Sequence, residues 1–161
     1  MRRVVVTVCA GAVTTLVVLA TVFLLGMRSK SPVVLDRVRR FNRAVTNPRV
    51  LRSAGSPGAS ASVIRHVGRA SGRSYQTPVG PFAVGDDFVI ALPYGPGADW
   101  VRNVLANGSA TIVHEGQTVP VHQPEVVSTA DVVRDLPSSE QRTLRLFRVH
   151  QCLRVRRAPG G

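Results

Sequence analysis

Hydrophobic positions along this chain follow three successive patterns, each predicting a different kind of element. Residues 4–27, VVVTVCAGAVTTLVVLATVFLLGM, form an apolar run of 24 residues without a charge. At 1.5 Å of rise per residue such a helix is about 36 Å long, which crosses a hydrocarbon core of about 30 Å with some tilt. The competing reading is a cleaved secretory signal, since Arg2 and Arg3 supply a basic start. Signal cores run to about 7–15 residues and end in a small-x-small site. This run is longer and ends in Gly26-Met27-Arg28-Ser29-Lys30, so it predicts one retained N-terminal transmembrane helix.

The second pattern has helical spacing. Val34, Leu35, Val38, Phe41 and Val45 recur on one side while Arg37, Arg39, Arg40 and Arg43 fill other positions, and Asn47-Pro48 is expected to stop the helix. A basic amphipathic helix lying on a membrane surface and an ordinary helix packed on the domain fit equally well. Residues 53–62, SAGSPGASAS, are a loop by composition.

The third pattern is a series of short extended segments. Residues 62–67 alternate toward β, and residues 75–84 form a second strand interrupted by Pro78 and Pro81. Residues 88–94 (FVIALPY) suit a buried central strand. A short helix follows, capped by Asp99, striped by Trp100, Val101, Val104 and Leu105, and ended by Asn107-Gly108. Strands are expected at 109–115 and 118–122, with Val127 continuing the extended reading. Helices follow at 128–136 and 138–149, and a last strand at 152–156. Five or six short strands with one intervening helix predict an α+β fold built on a small closed or half-closed barrel. The chain thus divides into a membrane anchor (1–30), a basic helix with linker (31–61) and a barrel domain (62–161).

Charge sharpens this division. Of the net +12, residues 28–73 hold +10 and residues 74–133 hold −5. Six cations lie between positions 28 and 43 against two before the apolar run, which predicts a single-pass protein of the cell membrane with its domain facing the cytoplasm. Cys9 and Cys152 leave no disulfide within the domain, as a reducing compartment allows. Ala10 with Thr14 and Gly11 with Thr15 have the small-xxx-small spacing through which two spans can pack as a homodimer. Nucleic acid is an unsuitable partner for the basic block: no helix-turn-helix, zinc or RRM signature is present, and aromatic residues are 5% of the chain. Membrane lipid and an anionic ligand remain.

Several chemistries fail on spacing. Ser71 comes one position too late for a G-x-S-x-G elbow, and Trp100 stands where a dinucleotide fingerprint starting at Gly95 needs glycine. His114-Glu115 lacks the second histidine of H-E-x-x-H and there is no CxxC, so no metal is expected. His66, His114, His122 and His150 read as strand or surface histidines, and Cys152 as a packed thiol.

The segment Arg69-Ala70-Ser71-Gly72-Arg73-Ser74-Tyr75-Gln76-Thr77-Pro78-Val79 is different. Gly72 permits a tight turn on which the Arg69 and Arg73 guanidinium groups and the Ser71 hydroxyl can converge beside backbone N–H groups, a site for phosphate or carboxylate. A plain hairpin turn with solvated arginines is the equal alternative. Pro78 removes a ladder donor and frees neighbouring backbone to face a flat ligand. In the second segment, residues 91–103, a central strand runs into a Gly/Pro loop with Tyr94 and Gly95 and then a helix N-terminus, an arrangement that receives anions.

Taken in order, R-x-S-G-R-x-Y-x-T-P and Y-G-x-x-x-D-W-V-x-N resemble the deazaflavin-dependent nitroreductase family, actinobacterial reductases that use coenzyme F420, over about residues 34–156. The resemblance implies a split β-barrel like that of FMN-binding reductases, with short flanking helices. It implies that Arg69, Ser71, Gly72 and Arg73 hold the cofactor's phosphate or oligoglutamate tail. Thr77, Pro78 and Val79 would line the deazaflavin ring, and Tyr94, Gly95, Trp100 and Asn103 would close the pocket. The reaction implied is hydride transfer to a small hydrophobic electron acceptor, a quinone or nitroaromatic, with Tyr94 as the candidate catalytic proton donor. FMN and haem suit the double-arginine motif less well, because it matches a longer anionic tail. This chain has Leu92-Pro93-Tyr94-Gly95 where nitroreductase-type members often have Ser-Lys-Gly-Gly. A split barrel that binds a fatty acid without catalysis is the alternative function.

Overall fold

The computed structural model describes residues 18–158. Residues 4–17 of the expected span, including Cys9 and the small-xxx-small positions, lie outside the described residues. The chain is helical over α1 (Val18–Arg28), with Val18, Leu19, Val22, Phe23 and Leu25 exposed and Met27 buried. Among the described residues no single helix is long and apolar enough to cross a membrane. The stretch α1 and the helical segment Pro32–Val50 meet that test only together, with a bend of 108° between them.

The expected stop at Asn47-Pro48 does not occur. Helix α2 (Pro32–Phe41) continues through a π-helical turn at Asn42–Thr46 into α3 (Asn47–Val50). Proline inside an α-helix lacks its N–H and collides with the carbonyl four residues earlier, here that of Ala44. Ala44 lies in the widened π turn, so the break in regular hydrogen bonding falls where Pro48 requires it.

Seven strands follow: β1 (Ser62–Val67), β2 (Ser74–Val79), β3 (Pro81–Val84), β4 (Asp87–Ala91), β5 (Ser109–His114), β6 (Gln117–Ser128) and β7 (Gln151–Arg157). They form one antiparallel sheet, curled into a half-barrel, in the order β2-β1-β5-β6-β7-β4-β3. The count exceeds the five or six expected because residues 75–84 are two strands on opposite edges of the sheet. Only Gly80 separates β2 from β3, so the two edges must come within one residue of each other at that point. Prolines sit where edge strands tolerate them: Pro78 opposite Val63 in β2 and Pro81 at the start of β3. The later elements hold with changed ends: α4 (Asp99–Asn107), α5 (Thr129–Val132) with a 3₁₀ turn after it, and α6 (Ser138–Leu146).

Burial follows the strand alternation. Ile64, Phe88, Ile90, Ile112, Val121, Leu153 and Val155 fill the barrel, and α4 closes it with Val101 and Val104, both fully buried. Each such side chain contributes roughly 1.5–3 kcal/mol relative to exposure. The other face of β4 and β7 packs Val89 and Cys152 under Val127 and Val132. Leu136, Leu144 and Val149 form a further cluster beside it. Cys152 is therefore the packed thiol expected, and burial pushes its pKa up.

Candidate functional site

The β1–β2 turn and the start of α4 are built against each other. Gly68 N–H donates to the Arg73 carbonyl at 2.8 Å and Gly72 N–H to the Gly68 carbonyl at 2.9 Å, and Gly72 has φ +65°. A β-carbon on Gly68 would lie 2.5 Å from Ser71 Oγ and 2.7 Å from the Tyr75 ring, so any larger residue here would have to displace these side chains. Ser71 Oγ is used within the turn, 3.1 Å from the Tyr75 hydroxyl and accepting the Arg73 N–H at 3.4 Å. The Arg73 guanidinium is exposed and has no hydrogen-bond or ion-pair partner among the described residues.

Arg69 is held. Its backbone N–H and Nη1 both donate to Asn103 Oδ1, at 3.1 and 2.8 Å. Its Nη2 lies 3.4 Å from Asp99 Oδ1. Because Asn103 Oδ1 faces these donors, its Nδ2 faces His66 Nδ1 at 3.3 Å, and the amide must donate. That assigns the neutral His66 proton to Nε2, which lies 3.3 Å from Thr77 Oγ1. His66 and Asn103 are both buried at 6% exposure, the His66 ring stacks on Tyr75, and burial lowers the His66 pKa.

Asp99, expected to cap α4, is instead the helix's first residue, after Ala98 as N-cap. A carboxylate there complements the helix dipole. Burial opposes its ionisation, but hydrogen bonds from Arg43 and Arg69 outweigh that and hold its pKa below the ordinary carboxylate value. Arg43 reaches it at 3.2 Å from the π turn after α2.

Tyr94 and Gly95 lie on the loop between β4 and α4, where Gly95 has φ +74°. Asn42 Nδ2 donates to the Tyr94 hydroxyl at 2.7 Å and Arg39 Nη2 to its carbonyl at 2.5 Å. Lys30 Nζ donates to the Pro93 carbonyl at 3.0 Å. Burial raises the Tyr94 pKa, against the smaller opposing effects of Asn42 and Arg39, so the phenol keeps its proton at neutral pH.

The structure thus joins Arg69, Asn103 and Thr77 through His66, and sets Ser71, Gly72 and Arg73 at the adjacent tip. It connects Tyr94 to this group through the π turn after α2, because Asn42 holds Tyr94 and the next residue, Arg43, holds Asp99. Val79 is buried in the barrel, Trp100 packs against the same cluster, and Pro78 stays in the ladder. His66, Arg39, Asn42 and Arg43 were not read as site residues from the sequence. The available signal for His66 was its place two residues after Ile64, on the inward face of β1. Open grooves elsewhere among the described residues include two away from this group. One of about 480 Å³ is lined by residues including Asp87, His122 and Arg156. The other, of about 340 Å³, lies between α5 and α6. No cluster of metal-ligating side chains exists among the described residues.

Solved structures similar in fold include an F420-H2 dependent reductase, with 14% identity and a TM-score of 0.44 over 60% of this chain and 93% of that one. An FMN-binding protein from Syntrophomonas wolfei aligns at 15% identity and a TM-score of 0.41, covering 77% and 92%. A heme storage protein from Vibrio cholerae aligns at 13% and 0.47, covering 63% and 82%. No family profile and no curated protein sequence matches the chain.

Proposed function

We propose that this chain is a membrane-anchored oxidoreductase that uses reduced coenzyme F420 and passes a hydride to a lipid-soluble, electron-poor acceptor. The observation that supports it best is the hydrogen-bonded chain running from Thr77 through His66, Asn103, Arg69 and Asp99 to Arg43, the neighbour of Asn42, which holds Tyr94. It ties both sequence motifs into one surface. The donor set fits an anionic tail: Arg73 offers a guanidinium without a partner among the described residues, and Arg69, on the same turn, is already oriented.

Bound there, the reduced deazaflavin would supply the hydride. Arg73 and Arg69 would bind phosphate and carboxylate, and Asn103 would keep Arg69 from swinging into solvent. Tyr94, protonated and fixed by Asn42, would hold the proton that the acceptor needs at its Oη. The anchor would raise the local concentration of a membrane-dissolved acceptor without a new contact.

The test is a titration of the full chain in lipid nanodiscs with reduced F420, FMN and a long-chain fatty acid. Selective deazaflavin binding is expected, and Arg73→Ala should weaken it by about 10- to 150-fold. Unchanged affinity in that variant would reduce the motif to a structural turn. A second reading, a fatty-acid-binding module, is favoured by the groove between α5 and α6, where Val133, Leu144 and Val149 meet Arg145 and Arg148. Fatty-acid binding without deazaflavin binding would select it.

A further inference from the structure

Helix α2 uses its two sides differently. Leu35 is buried, Arg39 and, one residue past the helix, Asn42 reach the Tyr94 loop, and these three fall on one side. At 100° per residue the opposite side carries Val33, Arg37, Arg40 and Phe41. There Val33 and Phe41 are 62% and 59% exposed, and Arg37 and Arg40 are exposed beside them. The sole acid of the helix, Asp36, pairs with Arg40, which leaves Arg37 as a cation with no partner among the described residues. Large apolar side chains alternating with guanidinium groups match a surface that offers acyl chains below and negative charge above. The exposed apolar side chains of α1 precede this face in the chain, and the 108° bend turns α2 nearly across the axis of α1.

We propose that the Val33–Arg37–Arg40–Phe41 face of α2 docks on an anionic lipid headgroup layer while its inner side keeps hold of the Tyr94 loop. Different residues serve the two faces, so lipid contact does not compete with the contacts to Tyr94. The bilayer surface and the candidate site would then share one helix. This inference rests on the membrane anchoring proposed above and is independent of which cofactor is bound.

The test uses the full chain reconstituted in vesicles containing bromine-labelled acyl chains, with Phe41→Trp as a reporter and the unsubstituted chain, whose single tryptophan is Trp100, as the baseline. One set of vesicles is phosphatidylcholine alone and the other contains phosphatidylglycerol. Flotation with both sets reads anchoring. Bromine quenching of the added tryptophan in the anionic set alone reads docking of α2. In Phe41→Trp carrying Arg37→Gln and Arg40→Gln as well, loss of two cations should shift the docked-to-undocked ratio by about 30-fold and remove most of the quenching. Flotation without quenching would overturn the docking and leave the anchor standing. Equal quenching in neutral vesicles would overturn the role of the arginines, and failure to float would overturn anchoring and docking together.

Discussion

Asn103 has both ends of its amide in use, accepting twice from Arg69 and donating to His66. Protonating His66 would put an N–H where Asn103 needs an acceptor, so charging the ring both desolvates a cation and breaks the chain that orients Arg69. Thr77, Tyr75 and Asn103 face the ring, and none of them offers a compensating negative charge. Its folded pKa lies below the ordinary value near 6.5, so the unfolded chain binds the proton more readily. The stability this neutral histidine contributes is complete above about pH 6.5 and is lost as pH falls toward the lower folded value. Urea midpoints measured across this range should fall with pH in the natural chain and fall less in His66→Gln. Identical profiles would show that His66 does not titrate against folding. Arg69 and Asn103 were legible in the sequence because they belong to local motifs. His66 was not, because its partners come from positions 11 and 37 residues away and meet only in the folded barrel.

Elements show where local signals were sufficient. Gly108 ends α4 in the left-handed conformation, φ +69°, as Asn107-Gly108 announces. Composition marks the linker between α3 and β1 only as a loop, yet Gly55 is buried, with φ +82°, and its carbonyl accepts the Gly116 N–H from the β5–β6 turn. A β-carbon at Gly55 would lie 2.8 Å from a Val113 methyl and 3.0 Å from the Val113 carbonyl oxygen. Gly55→Ala should therefore cost about 1–3 kcal/mol in denaturant unfolding. Gly80, with open space around it and no left-handed φ, should instead accept alanine with a gain of about 0.4–1 kcal/mol. The reverse order of these two variants would overturn the packing assigned to the linker.

For the whole molecule, the decisive feature is that β7, the last strand, lies between β6 and β4. Leu153, with no exposed surface, faces the barrel core from that position, so the C-terminal strand supports everything folded before it. Leu153→Ala should cost about 2–5 kcal/mol and lower one shared thermal transition; a change confined to the C-terminal segment would contradict this. Hydrophobic periodicity, turn residues and charge spacing acted over a few residues, and they determined the strands, α4, the apolar N-terminal run and the two arginine and tyrosine motifs. Tertiary structure alone decided that residues 75–84 divide between opposite edges of the sheet, because pairing joins residues distant in sequence. It likewise decided which side of α2 faces the domain. Helical spacing identifies two faces, but only packing against the Tyr94 loop shows that Arg39 and Asn42 turn inward while Arg37 and Phe41 remain exposed.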